Sequence, residues 1–428
     1  SLDNIVTDGI NPTEFIGYDD LEVEAEIINI FDDSEDKKSI DAPNRGIIVS
    51  DKTSFYAQGG GQVADTGCIL SENIKAHITD VKKKNDIYFH YVEVIEGCLQ
   101  VGNKYLFKVD RDRRLDITRN HSATHLLDQA LRDILKDTVK QAGSLVDEDK
   151  LRFDFTYNQA LTKEEIRKIE DVVNKKIREE LPVRKNIVSY KESQEMGAIG
   201  LFEDKYKDKV RLVSIGEYSK ELCGGCHVNN SSNILMFKIV SESSVSAGVR
   251  RIEAITGKKV YDLLLNQKDI IDTTSQALNT RPDQFYQRIE SLKEEIKNQK
   301  EEIKRLRSSS NKDTYKDLES NIVKKDKHNS VVYKFENASI DELRDYENRL
   351  KNSYDNLIIV FASVSDEKII FTVSVDDNLT DKYNAGNIVK EISQITGGNG
   401  GGRRNFAQAG GKDISKLDSA LEKAFEII

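Results

Sequence analysis

Hydrophobic and polar positions alternate in short runs over the first quarter of the chain. Between residues 14 and 110, runs such as EVEAEIINIF, RGIIVSD and KYLFKVD are apolar or alternating, with turn residues between them. This pattern is typical of β-strands. Three successive glycines at 59–61 interrupt it and predict a loop. We therefore expect a β-rich subdomain over residues 1–110 that forms a small barrel; a folded sheet is the alternative.

Between residues 111 and 257, apolar residues recur every three or four positions rather than every two. In HSATHLLDQALRDIL this spacing predicts an amphipathic helix over residues 121–135. A second helix is predicted in TKEEIRKIEDVVNKKIREE, where Thr162 is a candidate N-cap and Glu165 follows three residues later. The runs VRLVSIG and NILMFKIVSESS predict strands on either side of a cysteine-containing turn. This segment is expected to be an α/β core.

Residues 258–325 are highly charged and predicted to be helical. Pro282 separates two helical stretches, so a helical hairpin is expected. Apolar residues recur near heptad spacing in the second stretch: Phe285, Ile289, Leu292, Ile296 and Ile303. The segment is therefore either a dimerising coiled coil or a solvated spacer.

Residues 326–428 are expected to form a C-terminal α/β globular domain. The runs NLIIVFASVS and KIIFTVSVD predict buried strands, and a glycine-rich segment and a closing helix follow them. The expected fold class is thus α+β multidomain: a small β-barrel subdomain, an α/β core, a helical coiled-coil hairpin and this C-terminal domain.

The composition narrows the class of protein. A chain of 428 residues is too long for one core. It contains no run of about 18 apolar residues, and its first residues lack a basic and an apolar region, so we expect neither a transmembrane helix nor a signal peptide. Four cysteines do not make a disulfide scaffold, so we expect a reduced, cytoplasmic protein. The net charge of −10 argues against unspecific nucleic-acid binding by the whole chain, but local basic patches remain compatible with it. The chain opens on Ser1 rather than methionine, which is typical of a fragment or a processed chain.

Two pairs of residues form a candidate metal site. His121 and His125 are four positions apart on the predicted helix, so both imidazoles face one side, away from its leucines. Cys223 and His227 are also four apart, in CGGCH, where two glycines allow a sharp turn. Three imidazoles and one thiol form a borderline-soft set of the kind that zinc prefers.

The second cysteine of this turn, Cys226, leaves alternatives open. It is either a spare thiol or a competitor of Cys223 for the metal. A third possibility is a thiol oxidoreductase that uses both cysteines. Redox motifs of this spacing normally lie at a helix N-terminus after a strand, whereas here His227 follows directly.

Five motifs, in one order, resemble the editing and C-terminal domains of the alanyl-tRNA synthetase family. They are FYAQGGGQVADTG (55–67), RNHSATHLL (119–127), ELCGGCHV (221–228), SESSVSAGVRRIEAITG (241–257) and GGNGGGRRNFAQAGG (397–411). The family usually has Thr in place of Cys226. Its class II aminoacylation domain, with the ATP site, is expected to precede residue 1, and no segment here resembles that domain. Freestanding editing factors are close relatives: GGGQ favours them, whereas FIGYDDLE favours the synthetase.

The resemblance implies hydrolysis of the ester that joins serine or glycine to tRNA(Ala). It also implies that His121, His125, Cys223 and His227 hold Zn²⁺ in an editing core. Such a second hydrolytic site is needed because an alanine pocket neither excludes glycine nor strongly rejects an added hydroxyl; one methyl is worth only about 1–3 kcal/mol.

Three further residues are candidates for the reaction. Gln62 follows the glycine run and is expected to hydrogen-bond the attacking water or the ester; otherwise it is an exposed loop amide. Thr53 is expected, by the resemblance, to hydrogen-bond the serine hydroxyl; otherwise it is an ordinary strand residue. Arg250 is expected to meet RNA phosphate or the 3′ adenosine; otherwise it forms an ion pair with an acid such as Glu253.

The glycine-rich segment near the C-terminus is the candidate RNA-binding loop. Gly401 and Gly402 let backbone N–H groups approach phosphates, Arg403 and Arg404 add charge, and Phe406 is expected to stack on a base. The expected partners are tRNA(Ala), including Ser- and Gly-tRNA(Ala), and a second copy of the chain through the helical and C-terminal region; no membrane is expected. The alternative is a non-catalytic tRNA-binding and dimerisation module with a structural zinc.

Overall fold

The computed structural model describes residues 2–32, 35–136, 139–200, 208–365 and 368–428, without the side chains of residues 3 and 307–311. The chain divides into two compact units, Ser1–Thr274 and Ser275–Ile428. The finer division at residues 110, 257 and 325 stays a prediction. Among the described residues, no helix combines the length and the hydrophobicity that crossing a membrane requires.

The first unit begins with a closed β-barrel, as predicted. Its described strands are β1 (Glu14–Phe15), β2 (Glu22–Asp32), β3 (Glu35–Lys37), β4 (Ser39–Asp41), β5 (Arg45–Ser50), β6 (Lys52–Thr53), β7 (Gly67–Ser71), β8 (Ile74–Lys84), β9 (Ile87–Glu96), β10 (Cys98–Gln100) and β11 (Lys104–Val109). The sheet runs β11-β7-β8-β9-β5-β2-β3, and β11 also pairs with β2, which closes six strands into a ring. The short pairs β1–β6 and β4–β10 lie outside this ring of strands.

The alternation of side chains explains the barrel. On β2, Val23, Ala25 and Ile27 are buried, while Glu24 between them is exposed and Glu26 is half-buried. The register of the strand is fixed because one face is buried and the other contacts solvent, and a slip of one residue would exchange the two faces. Phe55 and Phe107 fill the interior.

The rest of the first unit is mixed α/β. Its helices and strands are α1 (Arg111–Leu135), β12 (Gln141–Val146), β13 (Leu151–Thr156), α2 (Lys163–Arg178), β14 (Val183–Ser189), α3 (Tyr190–Glu195), β15 (Lys209–Ile215), β16 (Ser219–Leu222), β17 (Phe237–Ser246), β18 (Val249–Thr256) and the start of α4 (Lys258–Leu278). One sheet has the order β12-β13-β18-β17 and the other β14-β15-β16. The candidate metal ligands come from α1 and from the turn that follows β16.

The two predicted helices of this region are confirmed. Thr162 and Glu165 form a complete capping box at the start of α2, as their spacing predicts. α1 begins at Arg111, ten residues before the predicted start at His121. Its first turns, RDRRLDITRN, are polar except for Leu115 and Ile117, which lie two positions apart and not three or four, so the helical pattern did not include them.

The second unit is built on one six-stranded sheet. Its described elements are α5 (Phe285–Ser320), β19 (Val323–Lys324), β20 (Asn329–Glu336), α6 (Ile340–Ser353), β21 (Leu357–Ser365), β22 (Lys368–Val375), α7 (Ala385–Ile395), β23 (Asn399–Gly402), β24 (Phe406–Gly411) and α8 (Leu417–Ile427). The strand order is β19-β20-β21-β22-β24-β23. Ile358 and Val360 on β21 belong to one core cluster, and Ile359 and Phe361 belong to another, so both faces of this strand are covered.

Helices on both sides of Pro282 are confirmed, and the coiled coil stays a prediction. Ile289, Ile296 and Ile303 on α5 are 42%, 51% and 52% exposed. The expected glycine-rich loop is wrong in its form: β23 and β24 pair antiparallel, so the segment is a β-hairpin. Gly402 is required there because a Cβ would lie 2.5 Å from the Cα of Ala407 on the partner strand.

Candidate metal centre

The helix α1 and the turn after β16 bring together His121, His125, Cys223 and His227. One ligand atom from each lies within 4.8 Å of those from the other three, so the group could hold a metal ion. The three histidines are buried and the cysteine is partly buried. These are the four residues predicted as ligands from the sequence, and Cys226 is not among them.

The separations suit a four-coordinate ion. Cys223 Sγ lies 3.4 Å from His121 Nε2 and 3.3 Å from His227 Nε2. Zinc binds nitrogen at about 2.0–2.1 Å and sulfur at about 2.3 Å, which puts neighbouring tetrahedral ligands roughly 3.3–3.6 Å apart. The thiol and these two imidazole nitrogens are thus already spaced for an ion of this kind.

Two of the histidines are oriented by neighbouring side chains. His121 Nδ1 lies 2.8 Å from Gln62 Oε1, so this nitrogen carries the proton and donates it to the amide oxygen. His227 Nδ1 lies 3.0 Å from Ser122 Oγ. Each contact engages Nδ1 and turns Nε2 towards the thiol, which is how outer residues fix the ligating nitrogen of a metal-binding histidine.

In the third histidine, one ring nitrogen lacks a hydrogen-bond partner among the described residues. His125 Nδ1 is buried without a hydrogen-bond partner among the described residues, while its Nε2 lies 3.5 Å from Glu221 Oε2. An unpaired buried polar atom costs about 1–3 kcal/mol. A metal ion bound at this nitrogen would remove that cost, so the residues present fit such an ion.

Burial also sets the protonation of the ligands. It lowers the pKa of His121 to about 4 and holds the pKa values of His125 and His227 well below their ordinary value. The imidazoles are therefore neutral near pH 7, which is the form that binds metals. Burial raises the pKa of the Cys223 thiol to about 12, so binding of a cation would have to displace its proton.

The two glycines of the turn are not equivalent. A Cβ on Gly225 would lie 2.0 Å from His121 Cε1 and 2.9 Å from Gln62 Oε1, whereas a Cβ on Gly224 would meet nothing within 4 Å. Only Gly225 is needed for the backbone to pass against the His121 ring. Gly225 N also donates to Cys223 Sγ at 3.3 Å.

Gln62 is placed beside this group and is not an exposed loop amide. The residue is buried, and its Oε1 accepts hydrogen bonds from His121 Nδ1 and, at 2.9 Å, from the backbone N–H of Cys226. Its Nε2 is buried and has no partner among the described residues. The amide therefore has a fixed orientation and an unused pair of N–H donors.

Thr53 lies at the end of β6 with its hydroxyl in the barrel core. Its Oγ1 lies 2.8 Å from His90 Nε2 and accepts from the N–H of Phe55 at 3.0 Å. His90 Nδ1 contacts the Ile48 carbonyl at 3.3 Å and donates to it, so the Thr53 hydroxyl donates to Nε2. One lone pair of the hydroxyl is left over, and the contacts of the described residues do not join it to the metal group.

Arg250 forms an ion pair, but not with the expected residue. Its Nη2 lies 2.9 Å from Glu242 Oε2, while Glu253 pairs with Lys150 at 2.5 Å. The strands β17 and β18 pair with Arg250 opposite Ser244, which makes Glu242 a diagonal neighbour on the same face. The acid that pairs with Arg250 is therefore Glu242 rather than Glu253, because the strand register decides the pairing, and a contact of Arg250 with RNA stays a prediction.

A buried arginine that was not among the predicted functional residues connects α1 to the barrel. Arg114 forms a buried ion pair with Asp65 and donates to the carbonyls of Gly17 and Ser54. Its signal was the charged run RDRR directly after the last barrel strand. A buried charge is acceptable only when it is paired and fully hydrogen-bonded, so this contact fixes the start of α1.

In the second unit, the predicted RNA-binding residues lie on the hairpin β23–β24. Gly401, Gly402, Arg403 and Arg404 are exposed. Phe406 is half-buried, with the guanidinium of Arg344 5.3 Å from its ring centroid. One face of this ring is thus already in contact with a cation.

Three family profiles match separate parts of the chain. A profile described as tRNA synthetases class II (A) matches residues 3–113, although no segment of this chain was expected to resemble the aminoacylation domain. A profile described as threonyl and alanyl tRNA synthetase second additional domain matches residues 210–253, which include Cys223 and His227. A profile described as DHHA1 domain matches residues 328–428.

Curated relatives match nearly the whole chain. An alanine–tRNA ligase of Clostridioides difficile is 42% identical over 416 residues, which are 97% of this chain and 47% of the relative. One of Fusobacterium nucleatum is 41% identical over 420 residues, again 97% and 47%. The chain thus spans about half the length of these relatives. A solved C-Ala domain of Aquifex aeolicus alanyl-tRNA synthetase is 29% identical over 25% of this chain and 96% of that domain, with a TM-score of 0.24, too low to bear on the fold.

Proposed function

This chain belongs to the alanyl-tRNA synthetase family, and from that premise we propose that its first unit hydrolyses the ester of wrongly charged Ser-tRNA(Ala) and Gly-tRNA(Ala). The observation that carries this proposal is the Nε2 of Gln62 beside the ligand group, which is buried and has no hydrogen-bond partner in the described part of the chain. Unpaired buried donors are rare in folded proteins, and catalytic sites are one of the places where they occur.

Four residues would hold the metal: His121, His125, Cys223 and His227. Their donor set and spacing suit Zn²⁺. When bound there, zinc would supply orientation of the aminoacyl end and polarisation of the ester carbonyl.

Gln62 would act on the ester itself. Because Oε1 is already held by two N–H groups, the amide cannot turn, and Nε2 keeps its direction. A fixed donor of this kind stabilises the negative charge that develops on a carbonyl oxygen during attack by water. Removing one such donor costs about 10²–10³-fold in rate.

Thr53 is the candidate for discrimination against alanine. Its hydroxyl proton is committed to His90, so towards a substrate the oxygen can only accept. A serine hydroxyl can donate to it, whereas the alanine methyl cannot. This role rests on the family resemblance together with that one free lone pair.

The experiment is the Gln62→Ala variant, assayed for single-turnover hydrolysis of Ser-tRNA(Ala) at saturating zinc. We expect a rate about 10²–10³-fold below wild type, with zinc still bound. Gln58→Ala is the matched control, because Gln58 is an exposed glutamine of the same loop. An unchanged rate in Gln62→Ala would refute the assignment of this amide.

The second unit supplies the proposed tRNA contact. The exposed Arg403 and Arg404 and the small residues beside them suit phosphate groups. We also propose that a second copy of the chain pairs through Ile289, Ile296 and Ile303 of α5, which recur every seven residues. A reduced, cytoplasmic setting is consistent with four free cysteines.

One observation favours a second function. Four protein ligands fill a tetrahedral site, which is the pattern of structural zinc. The chain would then be a tRNA-binding and dimerising module without hydrolysis. Binding of tRNA(Ala) with stoichiometric zinc and no loss of the serine ester would support this alternative.

A further inference from the structure

Two side chains from distant parts of the chain hold the backbone of the metal-binding turn. Arg211, on β15, donates through Nη1 to the carbonyl oxygens of Cys223 at 2.9 Å and Gly225 at 2.8 Å. The hydroxyl of Tyr18 donates to the carbonyl oxygen of Gly224 at 2.6 Å. Three successive carbonyls of one turn are therefore fixed by side chains.

These two side chains are themselves held in place. The guanidinium of Arg211 lies over the Tyr18 ring, with 3.9 Å between its central carbon and the ring centroid. The Tyr18 ring also packs edge-on against Phe15, with 4.9 Å between centroids, and Phe15 stacks on Tyr88 of the barrel. A planar guanidinium that is stacked and doubly hydrogen-bonded keeps a narrow range of orientations.

The turn needs such support because its own sequence gives it little rigidity. Two adjacent glycines have more backbone freedom than any other pair, and the space around Gly224 is open. The sulfur of Cys223 must nevertheless lie within 3.4 Å of two imidazole nitrogens. Ordering this turn before the ion arrives would remove an entropic cost from binding.

Arg211 cannot favour metal binding through its charge. Its positive charge disfavours protonation of all three histidines and contributes to their lowered pKa values. The same charge would repel a bound cation. The contribution of Arg211 is therefore the pair of hydrogen bonds that it donates to the backbone carbonyls of the turn.

We propose that Tyr18 and Arg211 form a positioning clamp, which presets the Cys223–Gly225 turn so that the thiol meets the metal. Both residues act through the backbone and neither touches the ion. The inference rests on the proposed metal site, but it does not depend on ester hydrolysis.

The test measures the zinc dissociation constant by chelator competition in the full chain. We expect Arg211→Met to bind zinc about 10–100-fold more weakly than wild type, the range found when outer residues of a metal site are removed. Arg211→Lys should be nearly as weak, because lysine keeps the charge but lacks the planar guanidinium that stacks on the Tyr18 ring and fixes the direction of the donating nitrogen. Tyr18→Phe keeps the ring and removes one donor, so affinity about tenfold weaker is expected.

Lys185→Met is the matched control. Lys185 lies on the same face of the sheet, diagonal to Arg211, and donates to Asn229 rather than to the turn. Its removal takes away a similar positive charge and should leave zinc affinity unchanged or slightly increased. If Lys185→Met weakened zinc binding as much as Arg211→Met does, the proposed clamp would be overturned.

A second readout separates positioning from general destabilisation. With Co²⁺ at saturation, the thiolate-to-cobalt absorption band reports on the geometry at Cys223 directly. We expect its position or intensity to change in Tyr18→Phe and Arg211→Met, and not in Lys185→Met. Wild-type zinc affinity and an unchanged band in both clamp variants would overturn the clamp alone; a wild-type chain that binds no zinc would overturn the metal site as well.

Discussion

Adjacent glycines occur both in the Cys223–His227 turn of the first unit, which carries two of the candidate metal ligands, and in the hairpin β23–β24 of the second unit. In the turn, Gly225 packs on the ring of His121, and the groups around it are buried and hydrogen-bonded. In the hairpin, Gly402 packs on the partner strand, while Arg403 and Arg404 stay exposed. A site for a small ion needs fixed, desolvated ligands, whereas a surface for an extended polyanion needs charges in water.

The largest expected difference lies between the two cysteines of the turn. Cys223→Ala removes a member of the ligand group, so zinc should fall from about one per chain to near zero. Cys226→Ala should keep zinc, because that cysteine lies outside the group. Metal analysis of both purified variants is the measurement; loss of zinc in Cys226→Ala alone would reverse the assignment.

The buried interior of the first unit should also respond to acid, unlike the exposed charges of the hairpin. Burial lowers the pKa of His90 to about 4. Below about pH 6.5 the unfolded chain takes up a proton that the folded protein does not, so stability falls as the pH falls towards 4. The loss of stability due to this residue is at most about 3 kcal/mol.

Thermal unfolding of wild type and His90→Gln between pH 4.5 and 7.5 measures this effect. The variant should show a flatter dependence on pH, while His77→Gln, at an exposed position, should follow wild type. Parallel curves for wild type and His90→Gln would contradict the expectation.

The addition of one methyl group should have different effects at the two glycines of the turn. Gly225→Ala would force a Cβ into His121 Cε1, and overpacking of this kind costs about 1–3 kcal/mol of stability. Displacement of His121 should weaken zinc binding as well. Gly224→Ala has open space and serves as the control. Equal unfolding temperatures and zinc contents in both variants would show that the packing at Gly225 is unimportant.

The smallest expected effect lies in the hairpin. Replacing Arg403 and Arg404 by alanine should weaken tRNA(Ala) binding and lower the salt dependence of the affinity by about one unit for each phosphate that the variant no longer binds. Zinc content should not change. Lys412→Ala, an exposed charge just outside the glycine segment, is the control. An unchanged salt slope in the double variant would remove these arginines from the RNA-binding surface.

The sequence predicted those parts that depend on local spacing. His121 and His125 lie together because four residues make one helical turn, and Thr162 caps α2 because its side chain needs only the next three residues. The barrel followed from the alternation of strands such as β2. In each case the decisive neighbours are close in sequence or repeat with a fixed period.

The remaining contacts depend on register and on packing between distant segments. Glu242 rather than Glu253 pairs with Arg250 because of how β17 meets β18. The contact of Tyr18 with Gly224 joins positions 206 residues apart, and no local pattern indicates it. The glycine-rich segment pairs with itself as a hairpin, which glycine content alone does not predict.

The most direct test compares hydrolysis of Ser-tRNA(Ala) and Ala-tRNA(Ala) by the wild-type chain, with zinc measured on the same sample. Selective loss of serine, with about one zinc per chain, is the result that we expect from an editing site. A sample that contains zinc and leaves the serine ester intact would contradict it, and the chain would then be a tRNA-binding module with a structural ion.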